Sequence, residues 1–261
     1  MALTGKSPSG TYKDLLTIEN SNNGVDSTLR SVNTGNGSST STSISDRALK
    51  VKSATDNTTA LDIQNSSGST KFVVDTTNNQ VKALGNHVNT QYAYFGIESG
   101  ENANYLANVH YAIPFNMAAY PNVLYTLDIG TGTDPDTSFT TANTNTQRAS
   151  TLQTCMWYVP DAISIDGVYS TEGADTATGD TTRMHLMSYT FNSGSTSALA
   201  DGTLLAHNSD VTNAGSEQVY LSTWTVDSAT VTAGKVILAT FRSDSVNSDY
   251  SIGITVKYHL T

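Results

Sequence analysis

The chain has 261 residues, 13 Lys and Arg against 23 Asp and Glu, a net charge of −10 and a pI near 4.7. That balance, with no cluster of Lys or Arg, argues against nucleic acid as a partner, because neutralised phosphates supply most of that affinity. One cysteine, Cys155, excludes an internal disulfide framework and a cysteine-rich metal centre. The longest apolar run, residues 236–241, is far below the roughly 18–20 residues that cross a bilayer, so no membrane insertion is expected. The opening Met1-Ala-Leu-Thr-Gly-Lys-Ser-Pro has no hydrophobic signal core, and no classical secretion signal is expected from it.

Residues 1–85 read as short strands between turns. Leu16 and Ile18 alternate with polar neighbours before Asn20-Ser-Asn-Asn-Gly24, and the pattern returns as Leu61-Asp-Ile63-Gln-Asn65 before Gly68. That recurrence, 45 residues on, suggests an internal repeat. Ile44, Leu49 with Val51, Val74 and Val81 with Leu84 supply further period-two fragments. Asn and Gly tolerate positive φ, which gives the intervening clusters a mechanism as turns. Before Thr90 there are only two aromatics, Tyr12 and Phe72, while the other 19 follow it. With so little apolar bulk, a lone copy of residues 1–85 barely offsets its ordering entropy, so the region is expected to share its core with identical copies, the alternative being a flexible linker rich in Ser and Thr. It carries eight basic and seven acidic residues; the remainder carries five and 16, and hence the negative charge.

Residues 86–261 form the second expected domain, an all-β, jelly-roll-like sandwich. Strands are expected at 92–97, 106–116, 123–129, 152–159, 163–169, 183–191, 204–207, 219–226, 236–241 and 250–260, separated by Gly-containing turns. The last is plainest: Ile252, Ile254, Val256 and Tyr258 face one way, Ser251, Gly253, Thr255 and Lys257 the other. No helical spacing persists beyond about one turn.

The chemistry-bearing residues do not assemble into a catalytic set. His87, His110, His185, His207 and His259 show no metal-ligand spacing and read as half-exposed strand residues. Cys155 lies in an apolar stretch and reads as a buried, inert thiol in a strand. Asp134 with Asp136, and Asp161 with Asp166, are the carboxylate pairs that a glycan hydrolase would use. Asp134 and Asp136 are also weak calcium candidates, followed by Glu172, Asp175 and Asp180. No metal or other cofactor is expected. Two long loops, 130–150 and 170–181, carry Thr131, Thr133, Asp134, Asp136, Glu172, Asp175 and Asp180, the candidates for contact with a receptor.

Specific stretches resemble a known family. Gly10-Thr-Tyr-Lys-Asp-Leu-Leu-Thr-Ile-Glu-Asn-Ser-Asn-Asn-Gly-Val-Asp-Ser-Thr-Leu-Arg-Ser-Val, then Asp46-Arg-Ala-Leu-Lys-Val51 and Lys71-Phe-Val-Val-Asp75 leading to Val81-Lys-Ala-Leu-Gly85, resemble fibre and spike proteins of tailed bacteriophages, particularly marine ones. Thr232-Ala-Gly-Lys-Val-Ile-Leu-Ala-Thr-Phe241 and Tyr250-Ser-Ile-Gly-Ile-Thr-Val-Lys-Tyr258 are similar to the closing strands of their jelly-roll heads. The resemblance implies a non-enzymatic homotrimer on the virion surface, made in the bacterial cytoplasm. Its residues 1–85 would be anchored to other virion proteins, and its head would meet a host surface glycan or protein. A capsid decoration or cement protein that binds no receptor is the alternative, and a surface-glycan hydrolase a third reading.

Overall fold

The alternating apolar pattern is realised as antiparallel pairing throughout, in two units, Met1–Val88 and Asn89–Thr261. The computed structural model describes residues 15–18, 20, 23–98, 106–116, 127–144, 146–175, 177–215, 217–246 and 249–261. Residues 10–14 of the fibre-like stretch and 123–126 of an expected strand lie outside them. Among the described residues the chain is all-β but for one short helix.

The first unit holds two four-stranded meanders. β1 (Leu16–Ile18), β2 (Arg30–Thr34), β3 (Ser39–Ile44) and β4 (Leu49–Val51) pair in that order. So do β5 (Leu61–Gln64), β6 (Thr70–Asp75), β7 (Gln80–Ala83) and β8 (Asn86–His87). Residues opposite one another in the register share a face. In the first meander Ile18 pairs with Val32, Ile44 with Leu49 and Thr42 with Val51, which gathers the aliphatics on one side. Thr17, Asn33, Ser31, Ser43 and Lys50 fall on the other. In the second, Leu61, Val74 and Val81 align in one row and Ile63, Phe72 and Ala83 in the next.

The structural repeat has a different period from the one read in the sequence. Leu16 and Leu61 each open a meander, but the matching hairpins are β2–β3 and β5–β6. Their turns share one hydrogen-bond pattern: Thr34 N to Ser38 O and Gly37 N to Thr34 O, against Asn65 N to Ser69 O and Gly68 N to Asn65 O. Gly37 and Gly68 take the same left-handed conformation, at φ 83° and 81°, which glycine adopts without a Cβ clash.

Among the described residues of this unit, no side chain is buried. Leu16 remains 67% exposed, Leu49 69% and Ile63 53%. The pair Gly85-Asn86, expected as the domain joint, lies in the β7–β8 hairpin, and the units divide after Val88.

The second unit contains β9 (Thr90–Glu98), β10 (Tyr111–Ile113), α1 (Ala149–Cys155), β11 (Trp157–Tyr158), β12 (Ile163–Asp175), β13 (Thr181–Phe191) and β14 (Leu199–His207). It continues with β15 (Val211–Thr212), β16 (Gln218–Thr223), β17 (Thr225–Val226), β18 (Thr230–Val231), β19 (Lys235–Ser243) and β20 (Asp249–Leu260). One sheet has the order β16-β12-β20-β9, with β18 on β12; the other runs β10-β19-β13-β14-β17, with β11 on β19 and β15 on β13.

The first of these sheets buries one face only. Phe95, Ile165, Ile252 and Val256 meet Leu186, Ile237 and Phe241 of the second sheet in a common core that also holds Trp157. The second sheet is covered on both sides. Its other face carries Met187, Tyr189, Val236 and Leu238 against Leu152 and Cys155 of α1 and against Leu127, Ile129 and Phe139. Double coverage explains why 236–241 is buried without a break and apolar but for Thr240, whereas β20 alternates, with Ile252, Ile254 and Val256 inward.

Three expected elements are corrected. Residues 152–159 are not one strand: α1 ends at Cys155 and only Trp157–Tyr158 pairs. Leu152 and Cys155 are three apart and both buried while Gln153 and Thr154 are exposed, a helical spacing too short to stand out. The strand expected at 106–116 contracts to Tyr111–Ile113, bounded by Asn108 at φ 62° and by Pro114, which has no N–H to give a ladder. The loop expected from 170 is strand as far as Asp175, because the inward positions Ser170 and Glu172 are polar and disguise the alternation.

Leu238 is fully buried in the doubly covered sheet. Leu238→Ala is expected to cost about 3 kcal/mol in denaturant unfolding of the full chain, the range for a cavity that cannot collapse.

Candidate functional site

Of the expected receptor contacts, Thr131, Thr133, Asp134 and Asp136 all lie in one exposed loop of the second unit, and Pro135 is buried between the two carboxylates. The loop is held at several points. The His110 ring Nε2 is 3.1 Å from Gly132 O, Asp136 N donates to Ile129 O at 2.7 Å, and Gly202 N donates to Thr137 O at 2.8 Å. From beneath, the Tyr189 hydroxyl donates to Asp136 O at 2.9 Å. The Asp136 carboxylate folds over Gly130, where an added Cβ would stand 2.2 Å from Oδ1; with φ at 97°, that position accepts only glycine. Loop anchoring of this kind presents polar side chains with little ordering left to lose on contact.

Under the loop sits a feature that no sequence spacing announces. His110 and His185 are buried, with ring centroids 4.9 Å apart in an edge-to-face arrangement, and His207 follows 6.3 Å from His185. The histidines are neither scattered nor, for these two, half-exposed as expected. Strand pairing is the reason: His185 of β13 sits opposite His207 of β14. Burial drives the His185 imidazole down to about 3, helped by the neighbouring His110 and Arg183, so the ring is neutral. Burial lowers His110 as well, opposed by its bond to the Gly132 carbonyl. Asp134 Oδ1 stands 3.4 Å from His185 Nε2 but is not aligned to hydrogen-bond it, and both ring nitrogens of His185 lack such a bond. A neutral ring makes this contact too weak to count as an ion pair. His207 Nδ1 meets Asp227 Oδ2 at 2.8 Å, and His259 Nδ1 meets Asp166 Oδ1 at 2.9 Å.

The remaining contact candidates diverge. Glu172 is not on a loop: it is the inward-facing residue of β12, 1% exposed, with Thr182 Oγ1 2.8 Å from each carboxylate oxygen. Burial pushes this carboxyl up to about 7, against the lowering effect of hydrogen bonds from Thr182 and Asn213. Asp175 is exposed at the end of β12. Asp180 accepts the Tyr250 hydroxyl at 3.3 Å.

Calcium takes six to eight oxygen ligands. Among the described residues neither Asp134 with Asp136 nor the Glu172, Asp175, Asp180 trio belongs to a set of three ligand atoms within 4.8 Å of one another. Asp161 is exposed beside β12. Cys155 ends α1, not a strand, and burial pushes its thiol up to about 12, far from the thiolate that nucleophilic chemistry needs.

No family model matches the chain, and no curated protein does. Among solved structures, an aminopeptidase from the marine sediment archaeon Thaumarchaeota archaeon is similar at a TM-score of 0.34 and 9% identity, over 73% of this chain and 40% of the other. The chain thus spans less than half the length of that structure, and a likeness this low carries no argument about fold or activity.

The two buried groups set opposing pH dependences. His185 binds its proton more weakly folded than unfolded, so its contribution is intact above pH 6.5 and falls away as pH drops toward 3, by up to about 5 kcal/mol. Glu172 binds its proton more tightly folded, so its contribution is intact below pH 4.5 and is lost as pH rises through 7, by roughly 3 kcal/mol. Urea unfolding from pH 3.5 to 8 should show His185→Gln flattening the acid limb and Glu172→Gln removing the decline between pH 4.5 and 7.

Proposed function

We propose that the protein is a non-enzymatic, multi-copy surface component of a tailed bacteriophage particle, a trimeric fibre or spike. Its first unit would form a shared β-stalk anchored to other virion proteins. Its second would be a jelly-roll-like head that contacts the host cell. The reading rests on one observation above all: the described part of the first unit has two sheets, each with its aliphatic side chains on one face, and no buried side chain.

Such a sheet does not persist with its apolar face in water. Four strands about 4.8 Å apart and four to five residues long, at about 3.3 Å each, give roughly 300 Å² of face per meander, or about 600 Å² per chain. That approaches the roughly 800 Å² per partner of a stable protein interface. Identical neighbours fit because each meander carries its own aliphatic face, and in a symmetric assembly a face that suits one copy suits its equivalents. The Gly10–Val32, Asp46–Val51 and Lys71–Gly85 resemblance supports a virion location and the number three. The anchored loop at 130–137 supports recognition over a purely cementing role, since a cement has no use for a rigid exposed loop.

Sedimentation equilibrium of the full chain at micromolar concentration is expected to return the mass of three chains; a stable single chain would overturn the proposal. Leu49→Asp and Ile63→Asp place a carboxylate on an apolar face and should weaken assembly about a hundredfold. Lys50→Asp, on the polar face, should leave the mass unchanged, and all three should retain the melting transition of the second unit.

A further inference from the structure

We infer that the outer face of the four-strand array β16-β12-β20-β9 carries a shallow shelf for neutral pyranose sugars, separate from the 130–137 loop. The inference deepens the proposed recognition role of the head and rests on it.

The shelf follows from what stands at the outward positions. The register aligns Thr223, Tyr169, Thr255 and Tyr94 in one row and Leu221, Thr171, Gly253 and Gly96 in the next. Gly253 leaves a floor in the second row where an exposed sheet ordinarily carries a side chain, while Gly96 beside it is buried. Gly167, at an irregularity in the pairing of β12 with β20, does something further. A Cβ there would meet Tyr169 Oη at 2.9 Å and two of its ring carbons at 3.3 Å. The tyrosine ring is therefore laid back over a glycine and remains 39% exposed, with Tyr94 48% exposed across Thr255. Together with Thr171 and Leu221 they bound a groove of about 330 Å³, the lower end of the range for small-molecule sites.

The chemistry of the groove selects its occupant. Tyrosine offers a flat apolar surface with a hydroxyl at its rim, and a pyranose presents the counterpart, a ring face of C–H bonds edged by hydroxyls. Thr171 and Thr255 supply further hydroxyls between the rings. In the outward rows from Gly167 to Gly173 the charged positions are Lys257 and Glu98, one of each sign, in a chain with 23 acidic and 13 basic residues. No cationic cluster is present there to favour a polyanion. A second copy of the chain has less to hold it: four rows across four strands amount to roughly 440 Å², about half of what one partner contributes to a stable interface. Strand addition by a peptide is also excluded at the groove, because β12 and β20 are paired on both sides.

Affinity electrophoresis of the full chain through gels containing mannan, galactan or dextran tests the shelf, with alginate as the anionic comparison. At least one neutral polysaccharide is expected to retard the protein. Tyr169→Ala should weaken that retardation about tenfold, Tyr169→Phe should preserve it, and Gly167→Val should weaken it by displacing the ring. Asp134→Asn, on the loop, should leave it unchanged. Thermal melting shows that each variant is folded, and Tyr169→Ala decides the question if Gly167→Val is not. Retardation by none of the neutral polymers, by alginate alone, or equally in Tyr169→Ala would overturn the shelf. A three-chain assembly that fails to bind sinks the shelf and spares the stalk; a single chain that binds does the reverse.

Discussion

A β-sheet with one apolar face must cover that face, and the two halves of this chain meet the requirement in different ways. The second unit holds 19 of the 21 aromatics within or beside it, enough bulk to lay one sheet on another and then to cover the far side of the second with α1 and the 127–139 segment. The first unit has the alternation without the bulk. Its aliphatic rows, Leu61-Val74-Val81 and Ile63-Phe72-Ala83, are built like the inner face of a sandwich, yet among the described residues of the unit no side chain is buried. The burden falls on something else, and repeated geometry makes another copy the economical answer.

The doubly covered sheet also determines what the head can display. Because β13 has neighbours above and below, its side chains alternate between two buried environments. Tyr189 reaches out to the loop through Asp136 O, and His185 is confined beneath Asp134 in neutral form. Loop rigidity is thus a consequence of core packing. Among the described residues the loop carboxylates have no cationic partner beneath them, since the nearby His185 imidazole cannot hold a proton near neutral pH. The other sheet, covered on one side only, leaves its Tyr169 and Tyr94 rows to solvent.

What the sequence made legible follows from whether the signal was local. Alternation in β20 and β9, the turn glycines and the poverty of apolar bulk before residue 90 all sit within a few residues of one another and were readable. Glu172 was not, because an inward position that carries a carboxyl satisfied by Thr182 looks like a polar loop residue. The α1 segment is illegible because seven residues are too few to display a helical period. The histidine stack depends on β13 lying beside β14 and on His110 arriving from another part of the chain; turn signals set boundaries but leave pairing open. Tyr169 over Gly167 is of the same kind: alternation puts the two on one face, but that face points outward only because the pairing slips between the inward Ile165 and Gly167.

A shelf and a stalk of these kinds suit one another. A groove of about 330 Å³ that holds a sugar by stacking and a few hydroxyls gains little from each contact, because the ligand stays largely in water and binding must offset its lost freedom. Joining several heads through a shared stalk makes the second and third contacts intramolecular, and avidity rises by orders of magnitude without any change in the groove. The same joining solves the stability problem of the first unit, which needs neighbours whether or not the head binds anything. One constraint, an uncovered apolar face, therefore serves both ends of the molecule: it compels association, and association turns a weak surface into an effective one.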